Sequence, residues 1–186
     1  MKRIIKKIRR EMTFLENVIL VIDGKTGSGK STLADGIAAY FDADMIHMDH
    51  FFLPNTLRTE SRMKEPGGNI HYERFKTDVI DRLDKNVIAY KPFDCHEQTY
   101  GDVMYAKNKG VLIIEGSYAL HPFFGDYDDV SVFLDMDDDL QRHRILYRNG
   151  EKDARMFFEK WIGLENTYFN HYDIKERSDF AFTIRA

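Results

Sequence analysis

The chain has little of what would stabilise it covalently or send it to a membrane. Of its 186 residues only Cys95 is cysteine, which excludes an internal disulfide framework and makes a reducing, cytoplasmic setting the expectation. Four prolines and twelve glycines form no linker, and no fixed-period repeat or low-complexity tract divides the chain. Apolar runs such as Val18 to Ile22 and Val111 to Ile114 are far too short to span a bilayer. Positive charge is not in excess. The 27 Lys and Arg face 31 Asp and Glu, and a net charge of −4 gives no global attraction to nucleic acid or anionic lipid. No apolar stretch of the secretory kind follows the basic start (Lys2, Arg3, Lys6, Lys7, Arg9, Arg10), and Glu11 and Glu16 argue against a transit peptide. A guanine-reading Asn-Lys-x-Asp is missing, because Asn108-Lys109 is followed by Gly110-Val111, and protein-kinase catalytic-loop signatures are absent. Cys95 and His96 have no Cys/His cluster around them to complete a metal site.

What is present describes a folded chain: 43% hydrophobic and 31% charged residues, at a length suited to one domain over 1–186. Ile4, Ile5, Ile8 and Met12 form the apolar stripe of a short helix within residues 1–16, packed on that domain with its basic face in solvent. Five short runs, at 18–22, 44–48, 111–114, 130–134 and 180–184, read as strands, and the near-continuous apolar runs at 111–114 and 130–134 suit strands covered on both faces. Helical patterns lie between them at 30–40, 72–83, 137–148 and 154–168, with Asn149-Gly150 as a stop signal. Residues 87–90 and 103–106 suit a small hairpin. The expected architecture is a three-layer α/β/α sandwich with a mostly parallel five-stranded sheet, a small β-hairpin and a helical lid. Ligands of such sheets bind beyond the carboxyl ends of the strands, here just after residues 22, 48 and 114.

The first of those strand ends carries the strongest signal. Gly24-Lys25-Thr26-Gly27-Ser28-Gly29-Lys30-Ser31 satisfies the phosphate-binding Walker A pattern, between an apolar strand and a helix opening with Ser31, Thr32, Leu33 and Ala34. Backbone N–H groups that converge on phosphate oxygens need glycines where a Cβ would obstruct, and the helix N-terminus adds partial positive charge. Residues 24 to 32 are therefore the candidate ATP cradle. Lys30 is placed to neutralise the outer phosphates, and Ser31 to ligate Mg²⁺.

Asp49 and Glu115 end the second and third strands beside that loop. The expected division of labour makes Asp49 the base for the attacking hydroxyl, close also to the metal, and Glu115 a carboxylate that positions Mg²⁺ through water. The two roles could be shared or exchanged. Asp23 precedes the first glycine and is read as a brace for the loop. Arg144 and Arg148 share one face of the 137–148 helix, with Arg142 half a turn away, and planar guanidinium forks suit phosphate oxygens. At least one is expected to reach phosphate. The competing expectation for each is pairing with Asp137, Asp138 or Asp139. Trp161, Tyr168, Phe169 and Tyr172 are core aromatics or pocket lining.

The segments Gly24 to Ser31, Met48-Asp49-His50-Phe51-Phe52-Leu53-Pro54 and Glu65-Pro66-Gly67-Gly68-Asn69, with Phe93-Asp94-Cys95-His96 and Ile114-Glu115-Gly116-Ser117-Tyr118, together resemble the uridine kinase family. The resemblance runs from about residue 17 onward and extends to the wider group with phosphoribulokinase and one class of pantothenate kinase. It implies an ATP- and Mg²⁺-dependent kinase with Asp49 as base, Glu115 at magnesium and lid arginines at the phosphates. It further implies an acceptor pocket lined by His71, Phe93 and His96, with Arg142 also placed on the substrate side. Two positions depart from the family: His71 stands where an acid grips the ribose, and Phe93 where a phenol is usual. The expected acceptor is a small-molecule hydroxyl, first the 5′-hydroxyl of uridine or cytidine. The alternatives are a non-nucleoside alcohol, or a non-catalytic nucleotide-binding module. Neither nucleic acid nor membrane is an expected partner, and a homo-oligomer stays open.

Overall fold

Three runs rich in Val, Ile and Leu and two shorter mixed ones become the strands of one sheet in the computed structural model, which describes residues 1–185. In chain order the elements begin α1 (Lys2–Glu11), β1 (Asn17–Gly24), α2 (Lys30–Phe41), β2 (Asp44–His47), α3 (Glu60–Lys64) and α4 (Tyr72–Asp78). Then come β3 (Val87–Tyr90), β4 (Phe93–Asp94), β5 (Thr99–Tyr100), β6 (Met104–Lys107), β7 (Gly110–Glu115) and β8 (Val130–Met136). The chain closes with α5 (Asp138–Met156), α6 (Ile162–His171), α7 (Ile174–Arg177) and β9 (Phe180–Ile184). The main sheet has the order β2-β7-β1-β8-β9, with every neighbouring pair parallel. Helices cover both faces, so the three-layer α/β/α expectation holds. Strands β3 and β6 form the hairpin, and β4 with β5 forms a second, two-residue one.

The alternation of side chains along β1 divides the core in two. Val18, Leu20 and Ile22 meet Ile4 and Ile8 of α1 and Ala34 and Ile37 of α2 on one face. Ile19 and Val21 join Phe51, Phe75, Tyr168 and Phe169 on the other. The stripe on α1 is narrower than its sequence suggests, since Met12 stays exposed. Its basic face is not wholly in solvent either, because Lys7 pairs with Asp179.

Two helix boundaries differ from the periodicity. The helix from Tyr72 ends at Asp78, because the buried Val79 leaves helical geometry (φ −120°, ψ −63°) and a 3₁₀ turn follows. Gly150 does break α5 (φ 73°, ψ 168°), but the chain resumes helix at once and passes through a π-turn, Phe157–Trp161, into α6. This helical arm packs back on the sheet through Tyr168 and Phe169. Among the described residues no helix is long and apolar enough to cross a membrane.

Candidate active site

Parallel register brings three strand ends together: Ile22 lies opposite Glu115, and His47 also pairs with Glu115. Acid–glycine pairs finish two of these strands, and both glycines are required by packing. Gly24 has φ 136°, and a Cβ there would stand 2.1 Å from the carbonyl oxygen of Leu134 on β8. At Gly116, φ is 137° and a Cβ would stand 2.6 Å from Met48 Cβ. The first glycine of the loop thus serves strand packing.

Asp23 is the brace expected of it. Fully buried, its carboxylate accepts from Gly24 N–H (2.6 Å), Tyr118 N–H (3.1 Å), Leu120 N–H (3.0 Å) and the Tyr168 hydroxyl (2.8 Å). Burial still outweighs these bonds and raises its pKa from 3.8 to about 6.

The loop itself fits a phosphate. Gly29 has φ 92°, and an added Cβ would meet nothing within 4 Å, so the backbone faces open space where α2 begins. Ser31 and Thr32 are exposed in that first turn. Lys30 Nζ donates to the carbonyls of Gly24 (2.8 Å) and Lys25 (3.1 Å) and lies 3.3 Å from Ser117 Oγ. Lys25 points away, bonding Met136 O (3.0 Å) and Asp138 (2.9 Å). Ser28 Oγ is buried without a hydrogen-bond partner among the described residues.

Ser31 Oγ lies 3.4 Å from each oxygen of the buried Glu115, and His47 Nδ1 donates to Glu115 Oε1 (2.6 Å). That bond raises the His47 pKa against the effect of its own burial. Among the described residues no group of three or more His, Cys, Asp or Glu could hold a metal alone. One carboxylate and one hydroxyl are nevertheless what a magnesium ion needs when phosphates and water supply the remaining ligands.

Asp49 sits in a 3₁₀ turn, Met48–Phe51, whose two ends are buried apolar side chains, and it is exposed between them. Arg74 pins this turn: its guanidinium lies 4.1 Å from the Phe51 ring and donates to the carbonyls of His50 and Lys91. The Asp49 carboxyl keeps contact with water yet stands in a crowded crevice. Desolvation therefore raises its pKa, opposed by Lys30 and assisted by Glu115 and Glu165.

Of Arg142, Arg144 and Arg148, Arg144 alone reaches the loop, donating to Gly27 O at 3.1 Å. Arg142 lies over Phe158 (4.3 Å) and Arg148 bonds Asn149 (2.9 Å), and no ion pair joins any of them to Asp137, Asp138 or Asp139 among the described residues. The expected acceptor-pocket residues sit on separate elements. His71 caps α4, accepting from Arg74 N–H (3.4 Å). Phe93 is buried against Tyr100, and His96 is exposed on the β4–β5 loop. No hydrogen bond links any of the three to Asp49 among the described residues. Trp161 stands beside Phe52 and Arg58, while Tyr168 and Phe169 are core.

Sequence reasoning missed three members of this site: His47, Ser117 and Glu165. A polar residue at or just after a strand end was the available signal for the first two, whereas Glu165 sits within an ordinary helical pattern.

No protein-family model matches the chain. It is 30% identical to a uridine kinase of Clostridium novyi (strain NT) over 149 residues, 74% of this chain and 71% of that one. The fold matches the structure of a possible uridine kinase from Bacillus stearothermophilus with a TM-score of 0.69 at 16% identity, covering 97% of this chain and 99% of the other. It also matches phosphoribulokinase from Rhodobacter spheroides with a TM-score of 0.61 at 11% identity, covering 91% and 71%. A phosphate loop opening α2, two further acids at adjoining strand ends and this kinship lead to one conclusion: the chain is a P-loop kinase and belongs to the uridine kinase family.

Proposed function

We propose that the protein transfers the terminal phosphoryl group of Mg-ATP to a small-molecule hydroxyl, the 5′-hydroxyl of a nucleoside such as uridine or cytidine being the first acceptor to test. The observation that carries this reading is the convergence of Lys30, Ser31, Glu115 and Asp49 at adjoining strand ends. Bound Mg-ATP would bring the phosphoryl group and a cation that neutralises its oxygens. Residues 24 to 32 would cradle the phosphates, and Ser31 and Glu115 would hold the metal, with His47 orienting Glu115. Lys30 gives up loop carbonyls for phosphate oxygens. Asp49 would accept the proton of the acceptor hydroxyl, whose oxygen would bond to the terminal phosphorus as the bond from that phosphorus to the bridging oxygen breaks. ADP would leave with that oxygen, and the proton would stay on the carboxyl group. Arg144, already at Gly27, adds a guanidinium on the loop side. The arm that carries it shields the crevice from water, the competing phosphoryl acceptor.

The nucleoside reading is supported by the curated relative named uridine kinase. A second reading, a non-nucleoside alcohol, is favoured by His71. Its Nδ1 is committed to capping α4 and offers no carboxylate for a ribose. Phe93, lacking a hydroxyl, points the same way. Purified protein incubated with Mg-ATP and a panel of nucleosides, sugars and pantothenate distinguishes the two through the phosphorylated product. A pyrimidine nucleoside 5′-monophosphate supports the first reading, and products confined to non-nucleosides replace it with the second.

A further inference from the structure

Glu165 is a buried carboxylate whose only part above is to help raise the Asp49 pKa, and it has no direct role in the transfer step. It lies on α6 at 4% exposure, and a charge so placed is costly unless fully satisfied. Its three donors all come from the nucleotide side of the crevice. Thr26 N–H donates to Oε2 at 3.0 Å, the Thr26 hydroxyl donates to Oε1, and the Ser117 hydroxyl donates to Oε1 at 2.8 Å. Docking of the arm does not need this residue, since Tyr168 and Phe169 bury large apolar surface from the same helix. Ser117 adds a second consequence. Its single proton has two acceptors in range, Glu165 and the carbonyl of Gly24 at 2.9 Å, and Lys30 Nζ stands 3.3 Å away. A carboxylate outcompetes a neutral carbonyl for that proton, which leaves a Ser117 lone pair for the Lys30 ammonium.

We propose that Glu165 is a positioning residue of the phosphate cradle: from the helical arm it fixes Thr26 within the loop and orients Ser117 toward Lys30. The inference rests on the reading of residues 24 to 32 as the Mg-ATP site. It makes the arm part of the donor site as well as its cover, so that loosening α6 loosens the loop.

Glutamine and alanine at position 165 separate the clamp from the packing. Glutamine can keep every contact. Its carbonyl oxygen takes the Thr26 N–H, and its amide donates to two hydroxyls that are free to turn round. Alanine loses all three contacts. Calorimetric titration with Mg-ATP, beside thermal melting, is the test. For Glu165→Ala the expected result is a Kd raised about tenfold or more, with Glu165→Gln within about threefold of the parent. The KM for the acceptor should change by no more than about twofold in either variant, because both act on the donor side. A folded Glu165→Ala protein that binds Mg-ATP as the parent does, or a glutamine variant as impaired as alanine, overturns the proposal. Should Glu165→Ala fail to fold, Ser117→Ala replaces it. A Kd raised about threefold or more supports the clamp, and unchanged binding overturns it. Absence of Mg-ATP binding by the parent protein would instead remove the reading on which the inference rests.

Discussion

Replacing Asp23 by asparagine measures what holding the first residue of the loop costs the fold. Four donors surround the buried carboxylate, yet its pKa stands at about 6 against an ordinary 3.8, because burial outweighs them. The native state therefore binds this proton more tightly than the unfolded chain does. Its contribution to stability is present on the acid side and is lost as pH rises from about 4 through about 6. At about 1.4 kcal/mol per pH unit, ionisation costs the native state about 3 kcal/mol over the whole window, and about 2 kcal/mol between roughly pH 4.5 and pH 7. Asparagine does not titrate. It also cannot satisfy all four donors. If its amide replaces Oδ2, the Tyr168 hydroxyl can reverse but the Leu120 N–H cannot, which leaves a pH-independent penalty of about 1–3 kcal/mol. Urea unfolding of both proteins across this pH range isolates Asp23, because the other titrating groups cancel in the difference. The stability of the parent relative to Asp23→Asn should fall by about 2 kcal/mol from pH 4.5 to pH 7. A difference that is flat, or that grows with pH, refutes the reasoning.

Three further outcomes follow from the geometry. Gly68→Ala would place a Cβ 1.8 Å from the carbonyl oxygen of Arg62, a backbone clash, and should destabilise the fold by about 3 kcal/mol or more in urea melts. The Arg62 guanidinium grips both oxygens of Glu73 (2.7 and 2.9 Å) and holds that carboxyl at about 2. In Arg62→Ala, NMR titration should find Glu73 back near its ordinary 4.5, and an unchanged value would show that the fork is not the cause. Glu115→Gln removes the charge facing Ser31 and should weaken Mg-ATP binding about tenfold or more while leaving Mg-free ATP less affected, as calorimetry with and without magnesium would show.

Legibility in the sequence tracked contiguity. The strand–turn–helix unit around Gly24 to Ser31 could be read because its residues are contiguous. The placement of Asp49 and Glu115 beside it could be read because each follows a strand whose direction in a parallel sheet is set by topology. The strand layout was legible for the same reason, since strands buried on both faces read as short near-continuous apolar runs. What could not be read depends on pairs far apart in sequence. Glu165 meets Thr26 across 139 positions and Ser117 across 48. No local pattern distinguishes it from a solvated helical glutamate. The arm misled in another way: Asn149-Gly150 is a genuine break, but the residues after it return to helix, so a stop signal became a kink. The acceptor side was the least legible, because His71 is drawn into capping a helix and Phe93 into packing a hairpin.

The central claim, that Asp49 takes the proton of an attacking hydroxyl beside a phosphate held by the loop, is tested most directly by single-turnover kinetics of Asp49→Asn with Mg-ATP and the acceptor found in the product screen. Phosphoryl transfer should slow by about a hundredfold or more while the Kd for Mg-ATP stays within about threefold of the parent. Transfer at a near-parental rate with both substrates bound would contradict it.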